Sequence, residues 1–278
     1  MADLRGACLR GSCYRRDEFC QNNNGLWSAI VREDALSGTV SQKSIIVTGA
    51  ARGIGAAIAR DLAANGAKVC VADLNTEAAR KVAAEIGNSA IAAEVNVADR
   101  ASTKALIATT VAAFGRLDVM FNNAGISQTC PFMEVTEDDW HRIMNVNGLG
   151  VLIGTQEAAR QMKVQGMGGK IVNTASIAGK QGYPLFAHYC ASKFAVVALT
   201  RAAARALAED KITVNCIAPG VVRTELWQQL DREFLAHGLT EKPEQSINEF
   251  SQSILVGHAA MPNEITGVTT FLASTASD

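Results

Sequence analysis

No apolar run in this sequence approaches the roughly 18 residues that a membrane-crossing helix needs. The opening stretch also lacks the apolar centre of a secretory signal, so a soluble, cytoplasmic protein is expected. Neither charge dominates: 26 Lys and Arg stand against 27 Asp and Glu, for a net charge of −1 with the signs interspersed. Without a basic surface, nucleic acid and acidic lipid are poor partners, which leaves small molecules or further copies of the chain. The seven cysteines are odd in number and include no Cys-x-x-Cys pair, which argues against both a disulfide framework and a zinc site. Cys70, Cys190 and Cys216 lie in apolar stretches and are expected as small buried hydrophobes. His141, His188, His237 and His258 are scattered without ligand spacing, so no metal is expected.

What the chain does have is apolar content, 48% of 278 residues, enough to bury one large core. Residues 1–42 stand apart: Cys8, Cys13 and Cys20, a polar run Gln21 to Gly25 and no sustained periodicity predict a poorly ordered extension. From Ser44 onward, residues 43–278 read as a single domain of alternating strands and helices. That alternation is the signature of an α/β fold with a doubly wound parallel sheet and helices on both faces. Strands are predicted at Ser44–Thr48, Lys68–Asp73, Ala90–Val95, around Leu117–Phe121, at Lys170–Ala175 and at Ile212–Ile217. Helices are predicted from Gly53 (burying Ile54, Ala57, Ile58 and Leu62), at Thr76–Ile86, at Ala101–Phe114, from Glu137 to about Met162, and through Ala191–Glu209. The last of these is apolar on nearly every face, so a second subunit is expected against its outer side.

Between the first strand and helix lies Thr48-Gly49-Ala50-Ala51-Arg52-Gly53-Ile54-Gly55. Glycines there let backbone approach a pyrophosphate resting on the helix N-terminus, where free N–H groups and the helix dipole favour negative charge. The turn therefore marks Gly49, Arg52, Gly53, Ile54 and Gly55 as cofactor-binding residues of a Rossmann-type site. Asp73 ends the second strand eighteen residues beyond Gly55. A carboxylate there can accept from both ribose hydroxyls of NAD and would repel the 2′-phosphate of NADP. Arg52 points the other way, since a basic residue in this turn can pair with that phosphate. NAD is the favoured cofactor on balance.

Tyr189 and Lys193 stand four residues apart on one helical face, thirteen residues beyond Ser176. A cation held beside a phenol stabilises the phenolate and lowers its pKa, which would fit Tyr189 to exchange a proton with an alcohol. Ser176, at a strand end, is placed to donate a hydrogen bond to the same substrate oxygen. Thr-Gly-x-x-x-Gly-x-Gly, Asn122-Asn123-Ala124-Gly125, Ser176 and Tyr-x-x-x-Lys, in this order, resemble the motifs of the short-chain dehydrogenase/reductase family.

The resemblance covers roughly Lys43 to Asp278 and implies further roles. Asn96 and Val97 would contact adenine, Asn123 would border the cofactor, and Asn122 would be structural. Asn147 would anchor a water beside Lys193, while the Val222 amide and Thr224 hydroxyl would hold the nicotinamide carboxamide. Residues 225–258 would form a mobile lid, with Trp227, Phe234 and Phe250 lining the substrate pocket. The segments around Lys193 and Thr224–Asp231 are most similar to bacterial sorbitol, other polyol and 2,3-butanediol (acetoin) dehydrogenases. This implies an NAD-dependent oxidoreductase interconverting a secondary alcohol and a ketone on a small polyol or vicinal diol, in a homodimer or homotetramer. A ketoacyl-carrier-protein reductase using NADPH and a non-catalytic NAD-binding protein are the alternatives. By the same resemblance, the chain stops before the family's last strand.

Overall fold

A computed structural model of the protein describes residues 40–278. Six parallel strands form one sheet in the order β3-β2-β1-β4-β5-β6. They are β1 (Ser44–Thr48), β2 (Lys68–Asp73), β3 (Ala90–Glu94), β4 (Val119–Asn122), β5 (Gly169–Thr174) and β6 (Ile212–Ile217). The helices are α1 (Gly53–Ala64), α2 (Thr76–Ile86), α3 (Arg100–Phe114), α4 (Glu137–Met144), α5 (Gly150–Gln165), α6 (Ala187–Ala206), α7 (Glu225–Ala236), α8 (Gln245–Gln252) and α9 (Thr266–Ala273).

Side chains alternate across a strand, and both sheet faces are covered, so apolar residues run on without a polar break. Ile45, Val47, Val69, Val71 and Phe121 face one layer and pack with Ile58 and Leu62 of α1 and Val82 of α2. Ile46, Cys70, Met120 and Ile171 face the other, against Leu106 of α3 and Met162 of α5. Each large side chain so buried contributes about 1.5–3 kcal/mol against the unfolded chain.

Several details depart from the expectations. On α1 the buried partners of Ile58 and Leu62 are Ala56 and Ala59, while Ile54 and Ala57 are half-buried. Ile54 packs on the rim of that core and also lines a cavity. Cys70 and Cys190 are buried as expected, but Cys216 is only half-buried. The expected extension at residues 1–42 lies outside the described residues up to position 39. Within its last three residues Val40 is buried in the α1-side core, and the Gln42 N–H donates to Gly66 O at 2.8 Å.

The predicted long helix from Glu137 is broken. Thr136 caps α4, its hydroxyl accepting from the Asp139 N–H at 3.1 Å. That hydroxyl also bonds the Asp139 carboxyl and draws its pKa down to about 2. A π-helical turn, Asn145–Leu149, then separates α4 from α5. At α5's first residue, Gly150, a Cβ would approach a Val97 methyl to 2.9 Å, so the helix lies hard against the β3 end. β6 stands at the sheet edge with β5 as its one strand partner among the described residues.

The chain's path reverses direction between β1 and β4, where order 3-2-1 gives way to 4-5-6. In such sheets, ligands bind at the strand C-termini beside that reversal.

Candidate active site

A cavity of about 590 Å³ opens at this point. At one end its wall is the turn between β1 and α1. Gly49 has φ +63°, and a Cβ on it would meet Ala124 Cα at 2.7 Å. A Cβ on Gly55 would meet Gly49 O at 2.2 Å. The bare backbone is thus a requirement of close packing, and it leaves a cradle open at the α1 N-terminus that fits a dinucleotide pyrophosphate. Arg52 holds the position preceding α1 without a side-chain cap and is exposed at the cavity rim.

Asp73 is pinned where β2 ends. Its carboxylate accepts from the Ala51 N–H at 3.0 Å and from the Asn75 N–H at 3.0 Å, tying the glycine turn to the β2 loop. Asn75, not Asp73, caps α2. Asn96 and Val97 also line this end. The Asn96 amide oxygen accepts from the Ala98 N–H at 3.1 Å, holding its own loop in shape.

The middle of the cavity is fixed from β4 and β5. The Asn123 amide nitrogen donates to Thr48 O at 3.0 Å, and its oxygen accepts from the Thr174 hydroxyl at 3.3 Å. Asn122 turns into the interior and donates to Asn173 at 2.9 Å. One asparagine therefore borders the cavity while its neighbour ties strands together.

The third region gathers Ser176, Tyr189 and Lys193 into the same wall. Ser176 follows β5 and its hydroxyl accepts from the Ala178 N–H at 3.1 Å, so the serine is a cap as well as a cavity residue. Lys193 is buried; its Nζ donates to Thr174 O at 2.8 Å and lies 5.6 Å from the Tyr189 ring centroid. Burial pushes the Tyr189 phenol up to about 12, against a smaller downward pull from the Ser176 hydrogen bond. Burial pulls the Lys193 ammonium down to about 8. The expectation that the ammonium depresses the phenol is thus not met among the protein's own groups: loss of hydration dominates, and the downward pull on the phenol comes from Ser176.

Asn147, wholly buried in the π turn, spends its amide on the protein. Its oxygen accepts from the Ile126 N–H at 2.9 Å, and its nitrogen donates to Ile126 O at 2.8 Å and Ser192 Oγ at 3.0 Å. Ser192 Oγ donates in turn to Tyr189 O at 2.7 Å. Asn147 is nonetheless near the lysine: a Cβ on Gly125 would lie 3.3 Å from Asn147 Oδ1 and 3.5 Å from Lys193 Nζ. Sequence reading missed Ser192 and Thr174. Both were visible only as fillers, one inside Tyr-x-x-x-Lys and one before Ser176.

On the far side Val222 is held by a bridge to Ala260, its flanking residues bonded through Arg223 N–H to Ala260 O at 2.8 Å and Ala260 N–H to Val221 O at 3.0 Å. The Val222 N–H itself has no hydrogen-bond partner among the described residues, and Val222 is one of the residues lining the cavity. Thr224 caps α7. Trp227 and Phe250 line the cavity, edge to face at 5.3 Å. Phe234 does not: it is buried against Phe186 and Phe250 and is a packing residue. Among the described residues no cluster of three metal-binding side chains occurs, and no helix is long and apolar enough to cross a membrane.

The profile of the short chain dehydrogenase family matches residues 43–234. The chain is 39% identical over 236 residues to sorbitol dehydrogenase of Cereibacter sphaeroides, covering 85% of this chain and 92% of that protein. It is 41% identical over 238 residues to L-2,3-butanediol dehydrogenase of Corynebacterium glutamicum, covering 84% and 92%. Galactitol 2-dehydrogenase of Agrobacterium fabrum shares 39% over 240 residues, covering 86% and 93%. In fold the chain is similar to a short-chain type dehydrogenase/reductase from Mycobacterium marinum, with TM-score 0.79, 34% identity, and 88% and 92% of the two chains covered. Levodione reductase is similar too, at TM-score 0.80 and 30% identity over 85% and 92%.

Proposed function

This chain belongs to the short-chain dehydrogenase family, and we propose that it uses NAD to interconvert a secondary alcohol and a ketone on a small polyol or vicinal diol. The observation that carries this reading is that one cavity holds the glycine cradle and Asp73 at one end and Ser176, Tyr189 and Lys193 at another. A bound nicotinamide ring would give or take the hydride. The protein's part is position and proton management. Ser176 and the Tyr189 hydroxyl hold the substrate oxygen from two sides. Tyr189, protonated at neutral pH, donates to a ketone oxygen as charge develops there, and takes the proton back when an alcohol is oxidised. Lys193, anchored on Thr174 O, keeps a positive charge beside the phenol and so favours the phenolate that proton donation leaves.

Asp73 supports NAD over NADP, because a 2′-phosphate would meet a carboxylate already fixed by two backbone donors. The named relatives support the substrate class: three act, by name, on sorbitol, 2,3-butanediol and galactitol. A second copy over the outer face of α6 belongs to the same reading, since Phe194 there and Trp140 and Leu149 nearby in the chain's helical layer are exposed.

The test follows NADH formation and consumption with sorbitol, galactitol, 2,3-butanediol and acetoin, using NAD and NADP in parallel. The purified chain should turn over at least one of these with NAD preferred, and Tyr189→Phe should lower kcat by about a hundredfold or more while still binding NADH. A folded, NAD-binding protein inert toward all four would point to a non-catalytic role.

A further inference from the structure

Asp231 lies on the inward face of α7, between the buried Leu230 and Phe234, and is itself 8% exposed. A carboxylate in such a place needs partners. It has two, both at the start of α8: it accepts from the N–H of Glu244, the residue before the helix, at 2.6 Å and from the Ser246 hydroxyl, which is 1% exposed. α8 has no cap of its own. Glu244 precedes it in the left-handed region at φ +62° and makes no side-chain cap bond. Asp231 therefore supplies from α7 the anion and acceptor that a helix N-terminus calls for, and holds a strained non-glycine corner in place.

What α8 carries is a wall of the cavity. Phe250, on its last turns, lines the cavity and packs 5.3 Å from Trp227 of α7 and 6.5 Å from Tyr183, both also cavity residues. The aromatic corner is thus shared between two helices whose direct polar tie is Asp231. We propose that Asp231 is a positioning residue: it clamps α8 to α7 so that Phe250 and Trp227 form one preorganised wall, and it governs substrate fit without touching substrate or cofactor. The cofactor cradle, on β1, α1 and β2, meets only the start of α7, where a Cβ on Gly53 would lie 3.4 Å from Thr224, and takes nothing from α8.

Asp231→Asn and Ser246→Ala test it by hydrogen exchange and kinetics. Hydrogen bonds to a charged group resist opening strongly enough that amides of α8 should exchange about tenfold faster or more in Asp231→Asn, with the sheet unchanged. Adding Glu244→Gly, which adopts the left-handed corner without strain, should slow that exchange again. With the best alcohol substrate KM should rise about tenfold while NADH affinity stays within about twofold. Exchange unchanged in α8, exchange accelerated equally throughout the sheet, or NADH affinity falling in step with KM would each overturn the proposal. The kinetic arm rests on the dehydrogenase reading above, but the exchange arm does not. An enzyme inert to every alcohol therefore sinks that reading and leaves the clamp still under test.

Discussion

Lys193 Nζ, 5.6 Å from the centroid of the Tyr189 ring, gives its hydrogen bond to the Thr174 carbonyl at 2.8 Å. Lys193 is buried and Tyr189 half-buried in the cavity wall, and their protonation preferences move in opposite directions, the ammonium down to about 8 and the phenol up to about 12. Each shift favours the neutral form, so the pair resists carrying charge until something else in the site compensates it.

That resistance sets a pH dependence of stability. A lysine with a native pKa of about 8 and an ordinary value of 10.5 is less protonated folded than unfolded between those limits, so stability rises with pH across that window. Below about 8 the burial cost is present in full. Tyr189 acts later and oppositely: between 10 and about 12 the native phenol keeps a proton the unfolded chain has lost, so stability falls. Lys193→Met removes the rising limb alone. The stability of wild type relative to this variant should grow by on the order of 3 kcal/mol at most between about pH 7.5 and 10.5. Urea denaturation across that range reads it, and parallel curves for the two proteins would show that the lysine is not destabilised by burial.

Asn147 joins three elements through one amide: the loop at Ile126, the π turn it sits in, and α6 through Ser192. Asn147→Ala would leave the half-buried Ile126 N–H and C=O without their protein partner and cost the buried Ser192 hydroxyl one of its two bonds. Orphaned buried groups cost about 1–3 kcal/mol each, and since Ile126 borders the cavity and Ser192 keeps Tyr189 O, a loss in the range of about one such group is expected. Thermal unfolding checks the amount. If the variant unfolds within a degree or two of wild type, the amide does not bind these elements together, and Asn147 would have to be explained by its nearness to Lys193 instead.

How much of this could be read beforehand varied with the physics involved. β1 and β2 were legible to the residue, because parallel strands buried on both faces appear as near-continuous apolar runs ended by glycine or aspartate signals; β6 was legible too, although this edge strand is only partly buried and carries Thr213 and Asn215. The π turn was not. Helical periodicity runs straight through Asn145–Leu149, and what inserts the extra residue is the contact of Asn147 with a loop twenty-one residues earlier. Tyr189 and Lys193 were located by spacing, yet the direction of the phenol's shift depends on burial, which no local pattern records. Phe234 and Trp227 looked alike as aromatic residues of one helix. Only the packing of Phe186 and Phe250 decides that one faces the core and the other the cavity. Asp231 was hidden for the opposite reason, since one of three acids in an amphipathic helix reads as a solvated side chain.

Asp73 offers the sharpest test of cofactor choice. Its two oxygens already accept from Ala51 and Asn75, so the carboxylate cannot swing away from an incoming 2′-phosphate without losing both bonds. Asp73→Ser removes the charge and shortens the side chain, while the exposed Arg52 nearby remains as the one basic group of the glycine turn. Charge-assisted hydrogen bonds contribute about 1.5–3 kcal/mol, so kcat/KM for NAD should fall by roughly ten- to a hundredfold. Use of NADP should rise at the same time, because the repulsion is gone and Arg52 can pair with the phosphate. The ratio of the two specificity constants, measured with one alcohol, decides the matter. A ratio unmoved by the substitution would mean that Asp73 serves only to brace the glycine turn and does not select the cofactor.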